Sequence, residues 1–130
     1  MAAEPVYRHL PNDDQLLDRA LGLVRRGWSR GALADDRQGR QVEPWSEAAT
    51  QWSPLGALIA AWHERGGGRI EEFDTVACAL ALATGGHTLE WNAVPWRTKW
   101  HVLSAFECAR GFLPEARALT GADRREAAAA

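Results

Sequence analysis

Trp28-Ser29-Arg30-Gly31-Ala32-Leu33 is echoed further along the chain by Trp52-Ser53-Pro54-Leu55-Gly56-Ala57-Leu58. Each phrase sets a large flat ring beside a hydroxyl group and then a glycine, which lets another segment approach closely. A charged turn from Asp35 to Arg40 lies between the two phrases. We interpret the stretch from Trp28 to Leu58 as an irregular segment that its tryptophans pin between helices.

A helix is predicted on each side of this segment. The first begins at a cap on Asn12 or Asp13 and ends before Gly27, because apolar residues recur at helical spacing between them. The second begins at Ser53, and the glycines at 66–68 end it. Gly56 inside this helix costs about 1 kcal/mol relative to alanine, so we expect it to pack closely against a neighbour. The predicted core stripe of the second helix is Leu55, Leu58, Ile59 and Trp62.

Two longer helices are predicted in the second half of the chain, separated by an irregular stretch at residues 87–97. The third begins near Glu71 and ends at Gly85-Gly86. The fourth begins after a cap at Thr98 and ends where Gly111 interrupts it, and a short terminal helix follows from Pro114 to about Leu119. The residues of the fourth helix predicted to face the core are Trp100, Leu103 and Phe106.

These elements predict a mainly α fold, a compact four-helix domain with two tryptophan-bearing loops. Leu33-Ala34 and Gln41-Val42 flank a turn and predict one short β-hairpin. The 130 residues match a single domain over 1–130, with loosely ordered tails at 1–11 and 121–130. Both loops follow odd-numbered helices, and an up-down bundle places such loops at the same end. Four tryptophans would then converge on one surface: Trp28, Trp45, Trp91 and Trp96.

Composition excludes several classes of protein. A formal charge of −2 gives no overall attraction to nucleic acid or to an anionic membrane. Two cysteines are too few for a disulfide scaffold, and the start of the chain lacks the pattern of a signal peptide. The longest apolar run, Val76 to Ala83, is too short to span a membrane. We therefore expect a cytoplasmic protein.

No residues form a recognisable catalytic or metal site, so we predict no cofactor and favour a protein that is not an enzyme. The cysteines and histidines lack the tight spacing of structural zinc sites, and neither Ser29 nor Ser53 lies in a nucleophile elbow. Free cysteines among apolar neighbours act as small hydrophobes. His101 is predicted to lie on the helix surface or to cap it. A small metal-dependent or acid/base hydrolase is the third alternative, resting only on scattered histidines and acidic residues.

The seven tryptophans suggest a binding surface. Trp62 and Trp100 lie on helical stripes and are predicted to be core residues. Trp45 and Trp96 each lie next to a proline and are the best candidates for an exposed patch, since tryptophan is over-represented among interface anchors.

Arginines around Trp28 suggest single-stranded nucleic acid as an alternative ligand. Cationic side chains beside a stacking ring are typical of such grooves, and the candidate residues are Trp28, Arg30, Arg37 and Arg40. The competing interpretation is that Arg25 and Arg26 complement the end of the first helix while the charges of the turn pair with each other. We favour the second interpretation.

The same residues resemble an uncharacterised family of short actinobacterial and phage proteins. The family pattern is Gly-Trp followed by Gly-Ala-Leu-Ala, an acidic turn, Trp-x-x-x-Gly-Ala-Leu, and later Trp-Asn-Asp before a threonine-led helix. The matching residues are Arg26 to Trp28, Gly31 to Gly39, Trp52 to Leu58, Trp91-Asn92 and Thr98. The resemblance covers roughly residues 13–110 and implies one domain without naming a reaction.

This chain departs from the family pattern at Ser53, where the family has cysteine, and at Ala93, where it has aspartate. The resemblance draws attention to Asn92, whose amide has two donor hydrogens and an acceptor oxygen. We predict that Asn92 pins the second loop to the first, with contact to a ligand as the alternative role.

The leading hypothesis is a non-enzymatic bacterial or phage interaction module that binds a protein partner or a second copy of itself. A single-stranded nucleic-acid binder is the runner-up, and no membrane partner is expected. The residues predicted to form the binding surface are Trp28, Arg30, Arg37, Arg40, Trp45, Trp91, Asn92 and Trp96.

Overall fold

A computed structural model describes residues 12–121, which form five α-helices and one two-stranded antiparallel sheet. The predicted mainly α class is confirmed, with five helices in the described residues where four were predicted. The tail predicted at 1–11 lies outside the described residues, as does the tail predicted at 121–130 apart from Gly121. In chain order the elements are α1 (Asn12–Arg26), β1 (Ala34–Asp35), β2 (Gln51–Trp52), α2 (Pro54–Glu64), α3 (Ile70–Thr84), α4 (Thr88–Ala93) and α5 (Lys99–Thr120).

The predicted starts and ends of α1 and α2 agree with the structure, but the buried face of α2 differs. The Ser53 hydroxyl accepts a hydrogen bond from the Gly56 amide at 3.0 Å and caps the helix as expected. The face of α2 toward the core consists mainly of small residues around Leu58, whereas Leu55, Ile59 and Trp62 are only half-buried. The buried residues of α2 pack in the core with those of α1, and Gly56 lies against the Leu33 backbone.

The two echoed tryptophan phrases are hydrogen-bonded to each other. The Trp52 amide donates to the Gly27 carbonyl at 2.9 Å, and the Ser29 amide donates to the Trp52 carbonyl at 3.0 Å. The Ser53 amide donates to the Leu33 carbonyl at 3.1 Å. The resemblance between the phrases therefore corresponds to direct pairing, which fixes the position of the irregular segment against α2.

The predicted hairpin is reduced to a single bridge. Asp35, which the prediction placed in the turn, bridges Gln41, while Ala34 and Asp35 form their strand with Trp52 and Gln51. The hairpin cannot extend because Pro44 follows closely, and proline has no amide hydrogen to donate to a strand ladder.

The second half of the chain differs from prediction in two places. Residues 88–93 of the predicted irregular stretch form α4, and α5 continues through Gly111 and Pro114 to Thr120. Packing against α3 outweighs the helix-breaking tendency of both residues, because α5 buries a continuous stripe there. Although α5 is the longest of the described helices, none of the helices in residues 12–121 is long and apolar enough to cross a membrane. The buried stripe of α5 is Val102, Ala105, Phe106, Ala109, Leu113 and Ala116.

The core position predicted for Trp100 is wrong. Its side chain is 71 % exposed, because it lies in the first turn of α5, ahead of the buried stripe that begins at Val102. Trp62 is half-buried and packs against the core with an edge-to-face contact to Phe73.

Ion pairs connect the ends of the helices. Arg117 of α5 forms a two-pronged pair with Asp13 of α1 at 2.7 and 2.8 Å, and Arg19 of α1 pairs with Glu64 of α2. Such fork-shaped pairs fix geometry as well as charge, so α1 is held by both α2 and α5.

Substituting alanine for Gly56 should destabilise the fold strongly. An added Cβ would lie 1.7 Å from the Leu33 carbonyl oxygen, which is backbone and cannot turn away. We expect the free energy of unfolding, measured by urea denaturation, to fall by about 3 kcal/mol or more. Gly22→Ala is the matched control, because its new Cβ meets nothing within 4 Å and alanine favours α1 by about 1 kcal/mol. Equal stability of the two variants would contradict the close approach.

Candidate functional site

Asn92 joins the two tryptophan-bearing segments through both polar atoms at its amide tip. The side chain is 1 % exposed. Its nitrogen donates to the Ser29 and Arg30 carbonyls, each at 2.9 Å, and its oxygen accepts from the Trp28 indole at 2.7 Å. The predicted contact between the segments is therefore present in the structure. It holds α4 against the chain that follows α1.

Two guanidinium groups cover the tryptophan rings next to Asn92. The Arg30 carbon Cζ lies 5.2 Å from the centre of the Trp28 ring, and that of Arg97 lies 3.8 Å from the Trp91 ring. Arg30 also donates to the Arg97 carbonyl at 2.7 Å. We call these five residues, Trp28, Arg30, Trp91, Asn92 and Arg97, the tryptophan–arginine junction. Both of its rings are half-buried.

Arg37 and Arg40 lie in the turn at residues 36–40. The Asp36 carboxylate accepts hydrogen bonds from the Gln38 and Arg40 amides and from the Arg40 guanidinium, at 2.8 to 2.9 Å. Arg37 is exposed. Among the described residues, no hydrogen bond or ion pair joins either arginine to Trp28. The structure thus gathers four of the eight predicted residues into the junction and leaves these two in their own turn.

Trp45 lies on another part of the surface, beside α1 and α2. Its ring stacks on His63 with 5.2 Å between the ring centres and 16° between the planes. Together they line a cleft of about 280 Å³ that also contains the Arg19–Glu64 ion pair. The Arg19 guanidinium, which donates to Glu64, lowers the pKa of that carboxyl against the opposing effect of burial.

Large exposed apolar side chains lie in α4, in the connection that follows it and in the first turn of α5. Trp96 and Trp100 are each 71 % exposed, and Leu89 in the first turn of α4 is 49 % exposed. We call these three residues the apolar edge. Of the three, sequence reasoning predicted only Trp96. The exposure of Trp100 had one signal in the sequence. The cap at Thr98 places Trp100 in the first turn of the helix.

The titratable and sulfur-containing side chains do not assemble into a metal site. Within residues 12–121, no three His, Cys, Asp or Glu side chains are placed to hold an ion together. Burial, and secondarily Glu115, raises the pKa of the Cys78 thiol, while Cys108 is exposed. The capping role predicted for His101 is confirmed: its Nδ1 accepts from the Thr98 amide at 3.1 Å.

A scan against family models matches residues 9–111 to a family of unknown function (DUF6197). The chain belongs to this family. No curated protein matches the sequence, and no solved structure matches it either. The matched region contains the whole tryptophan–arginine junction and the apolar edge, whereas the last turns of α5 lie beyond it.

Replacing Asn92 with aspartate should destabilise the protein. A carboxylate there would face the Ser29 and Arg30 carbonyl oxygens without a hydrogen to donate, and it would be buried. We expect a loss of about 3 kcal/mol in the free energy of unfolding, measured by urea denaturation. Ala93→Asp adds the same group at the exposed neighbouring position and should change stability by less than about 0.5 kcal/mol. A comparable loss in both variants would contradict the structural role of Asn92.

The turn at residues 36–40 should weaken at acidic pH. The Arg40 backbone amide, supported by its guanidinium, lowers the pKa of Asp36. A carboxyl with a lowered pKa stabilises the folded state above its ordinary pKa of about 4, and the stabilisation is lost as the pH falls below it. When the pH is lowered from neutral to acidic, the melting temperature measured by thermal denaturation should therefore fall less for Asp36→Asn than for the parent. Asp74→Asn, at an exposed carboxyl, should retain the steeper dependence of the parent. Identical pH profiles for all three proteins would remove Asp36 as a cause.

Proposed function

We propose that this protein is a non-enzymatic interaction module that binds a protein surface, of a partner or of a second copy, through the apolar edge. The supporting observation is the exposure of Leu89, Trp96 and Trp100, which all lie within residues 89–100 of the chain. Monomeric proteins rarely leave such groups of large apolar side chains in water. Tryptophan is also strongly enriched among the residues that dominate binding energy.

The junction supplies rigidity for this surface in the proposal. Trp28, Trp91 and Asn92 make internal contacts, so their role changes from contacting a ligand to positioning α4 and the start of α5. Rigid presentation lowers the entropy lost on binding, and that favours affinity without additional contacts.

Single-stranded nucleic acid is the second candidate, because exposed indole rings beside arginines form stacking platforms. The patch predicted from sequence around Trp28 gives less support to nucleic-acid binding. The Trp28 ring is half-buried beneath Arg30, and Arg40 is paired with Asp36. We place the module in the cytoplasm, since the free and exposed thiol of Cys108 suits a reducing compartment.

Removing both exposed indoles should abolish binding and leave the fold intact. We expect the double variant Trp96→Ala/Trp100→Ala to co-precipitate none of the proteins that the parent co-precipitates from a bacterial lysate. If the parent binds a second copy of itself, the variant should instead lose the concentration-dependent rise in mass that light scattering measures for the parent. Its stability should stay within about 1 kcal/mol of the parent, because both side chains are mostly in water.

Leu119→Ala is the control for this experiment. Leu119 is 66 % exposed near the opposite end of α5, so the variant removes a similar apolar group elsewhere. The control should bind like the parent. A double variant with an unchanged set of partners and an unchanged mass would contradict the proposal.

A further inference from the structure

Arginines over most of the described chain are neutralised by carboxylates. Six of them lie within 4.0 Å of an Asp or Glu oxygen, and Arg26 acts electrostatically on Glu64, whereas the exposed Arg37 has no carboxylate of the described residues that close. At the end of the molecule that carries the junction, the pattern changes. No carboxylate within residues 12–121 lies that close to Arg25, Arg30, Arg97 or Lys99. The six paired arginines are Arg19, Arg40, Arg65, Arg69, Arg110 and Arg117.

These four cationic residues, here called the cation cluster, are linked by their hydrogen bonds. The Lys99 ammonium donates to the Arg25 carbonyl at 2.6 Å, and the Arg30 guanidinium donates to the Arg97 carbonyl at 2.7 Å. Each link satisfies donor hydrogens but leaves the positive charge without a counter-charge. Arg25 and Arg30 are exposed, while Arg97 and Lys99 are half-buried.

The sequence around the cluster contains no acidic residue. None occurs between Asp18 and Asp35, and none between Glu90 and Glu107. The fold brings these two acid-free segments together through Asn92. Like charges held close together repel each other and disfavour the compact state, so an unneutralised cluster is a cost that an anionic partner would remove.

The apolar edge lies directly beside the cation cluster along the chain. Trp96 precedes Arg97, and Trp100 follows Lys99. Exposed apolar groups interleaved with cations match a ligand whose apolar groups are interleaved with anions.

We propose that the partner presents an acidic segment of protein, in which Asp or Glu residues alternate with large apolar side chains. Its carboxylates would pair with the cation cluster, and its apolar side chains would pack on the apolar edge. This inference rests on the proposed protein-binding function and specifies the chemistry of the partner. Guanidinium groups hold carboxylates in a fork-shaped geometry.

A protein segment fits these observations better than a nucleic acid. The apolar edge includes the aliphatic Leu89, which offers no stacking face, and the rings of Trp28 and Trp91 are already covered by the guanidinium groups.

The test uses fluorescence anisotropy with labelled synthetic probes. One peptide alternates Asp and Glu with Leu and Phe, and a matched peptide carries Asn and Gln in place of the acids. A mixed-sequence single-stranded DNA oligonucleotide is the third probe. We expect the acidic peptide to bind most tightly, with an affinity that falls as ionic strength rises.

Arg25→Glu should weaken binding of the acidic peptide about tenfold. Its side chain is exposed and only its carbonyl is used within the fold, so the variant should remain folded. Arg37→Glu is the matched control: the same charge reversal at another exposed arginine, outside the cluster. It should weaken binding less than about twofold.

The alternative outcomes distinguish this inference from the proposed function. If the acidic and amide peptides bind equally tightly, and Trp96→Ala/Trp100→Ala loses this binding, the proposal of an acidic partner would be overturned. The same result would support binding through the apolar edge. Tighter binding of the oligonucleotide, lost in Arg25→Glu, would overturn it in favour of nucleic acid. A concentration-dependent doubling of mass that Arg25→Glu abolishes would replace the segment with a second copy. Equal weakening by Arg25→Glu and Arg37→Glu would show only a general charge effect and overturn the role of the cluster.

Discussion

The amide of Asn92 is the contact on which the arrangement of this molecule depends. It is buried, and each of its polar groups contacts the segment that follows α1: two backbone carbonyls and one indole nitrogen. Because unpaired buried polar groups are costly, a shift of α4 would leave groups without partners on both sides. The short helix is therefore held more precisely than its six residues would suggest.

This contact separates four of the seven tryptophans into two groups. Trp28 and Trp91 lie inside the junction beneath guanidinium groups, whereas Trp96 and Trp100 project into water from the residues that follow α4. The internal group fixes the position of the external one. For the binding that we propose, a surface held in this way would need little ordering, in contrast to a loop that becomes ordered only on binding.

Sequence reasoning succeeded where a local signal decides the structure. Ser53 and Thr98 cap their helices as predicted, since an N-cap depends on the next three residues alone. It failed where distant packing decides. Gly111 and Pro114 are breakers by propensity, yet the buried stripe of α5 against α3 carries the helix past both. Trp100 shares the helical spacing of that stripe, but spacing alone does not reveal how far along α5 the neighbouring elements cover the helix.

The candidate site shows the same division. The pinning role of Asn92 followed from its donors and acceptor together with the resemblance to the family. The cation cluster did not, because its hydrogen bonds join residues 67 and 74 positions apart. Its lack of carboxylate partners becomes visible only in the structure, where six other arginines are paired with carboxylates.

The continuity of α5 bears on how this protein is best produced in the laboratory. The family match ends at Gly111, within the helix. Leu113, Ala116 and the Arg117 fork to Asp13 all come after that point. A recombinant fragment trimmed to the family boundary would lose part of the core and the ion pair between α5 and Asp13 of α1, so expression work should retain the chain through Gly121.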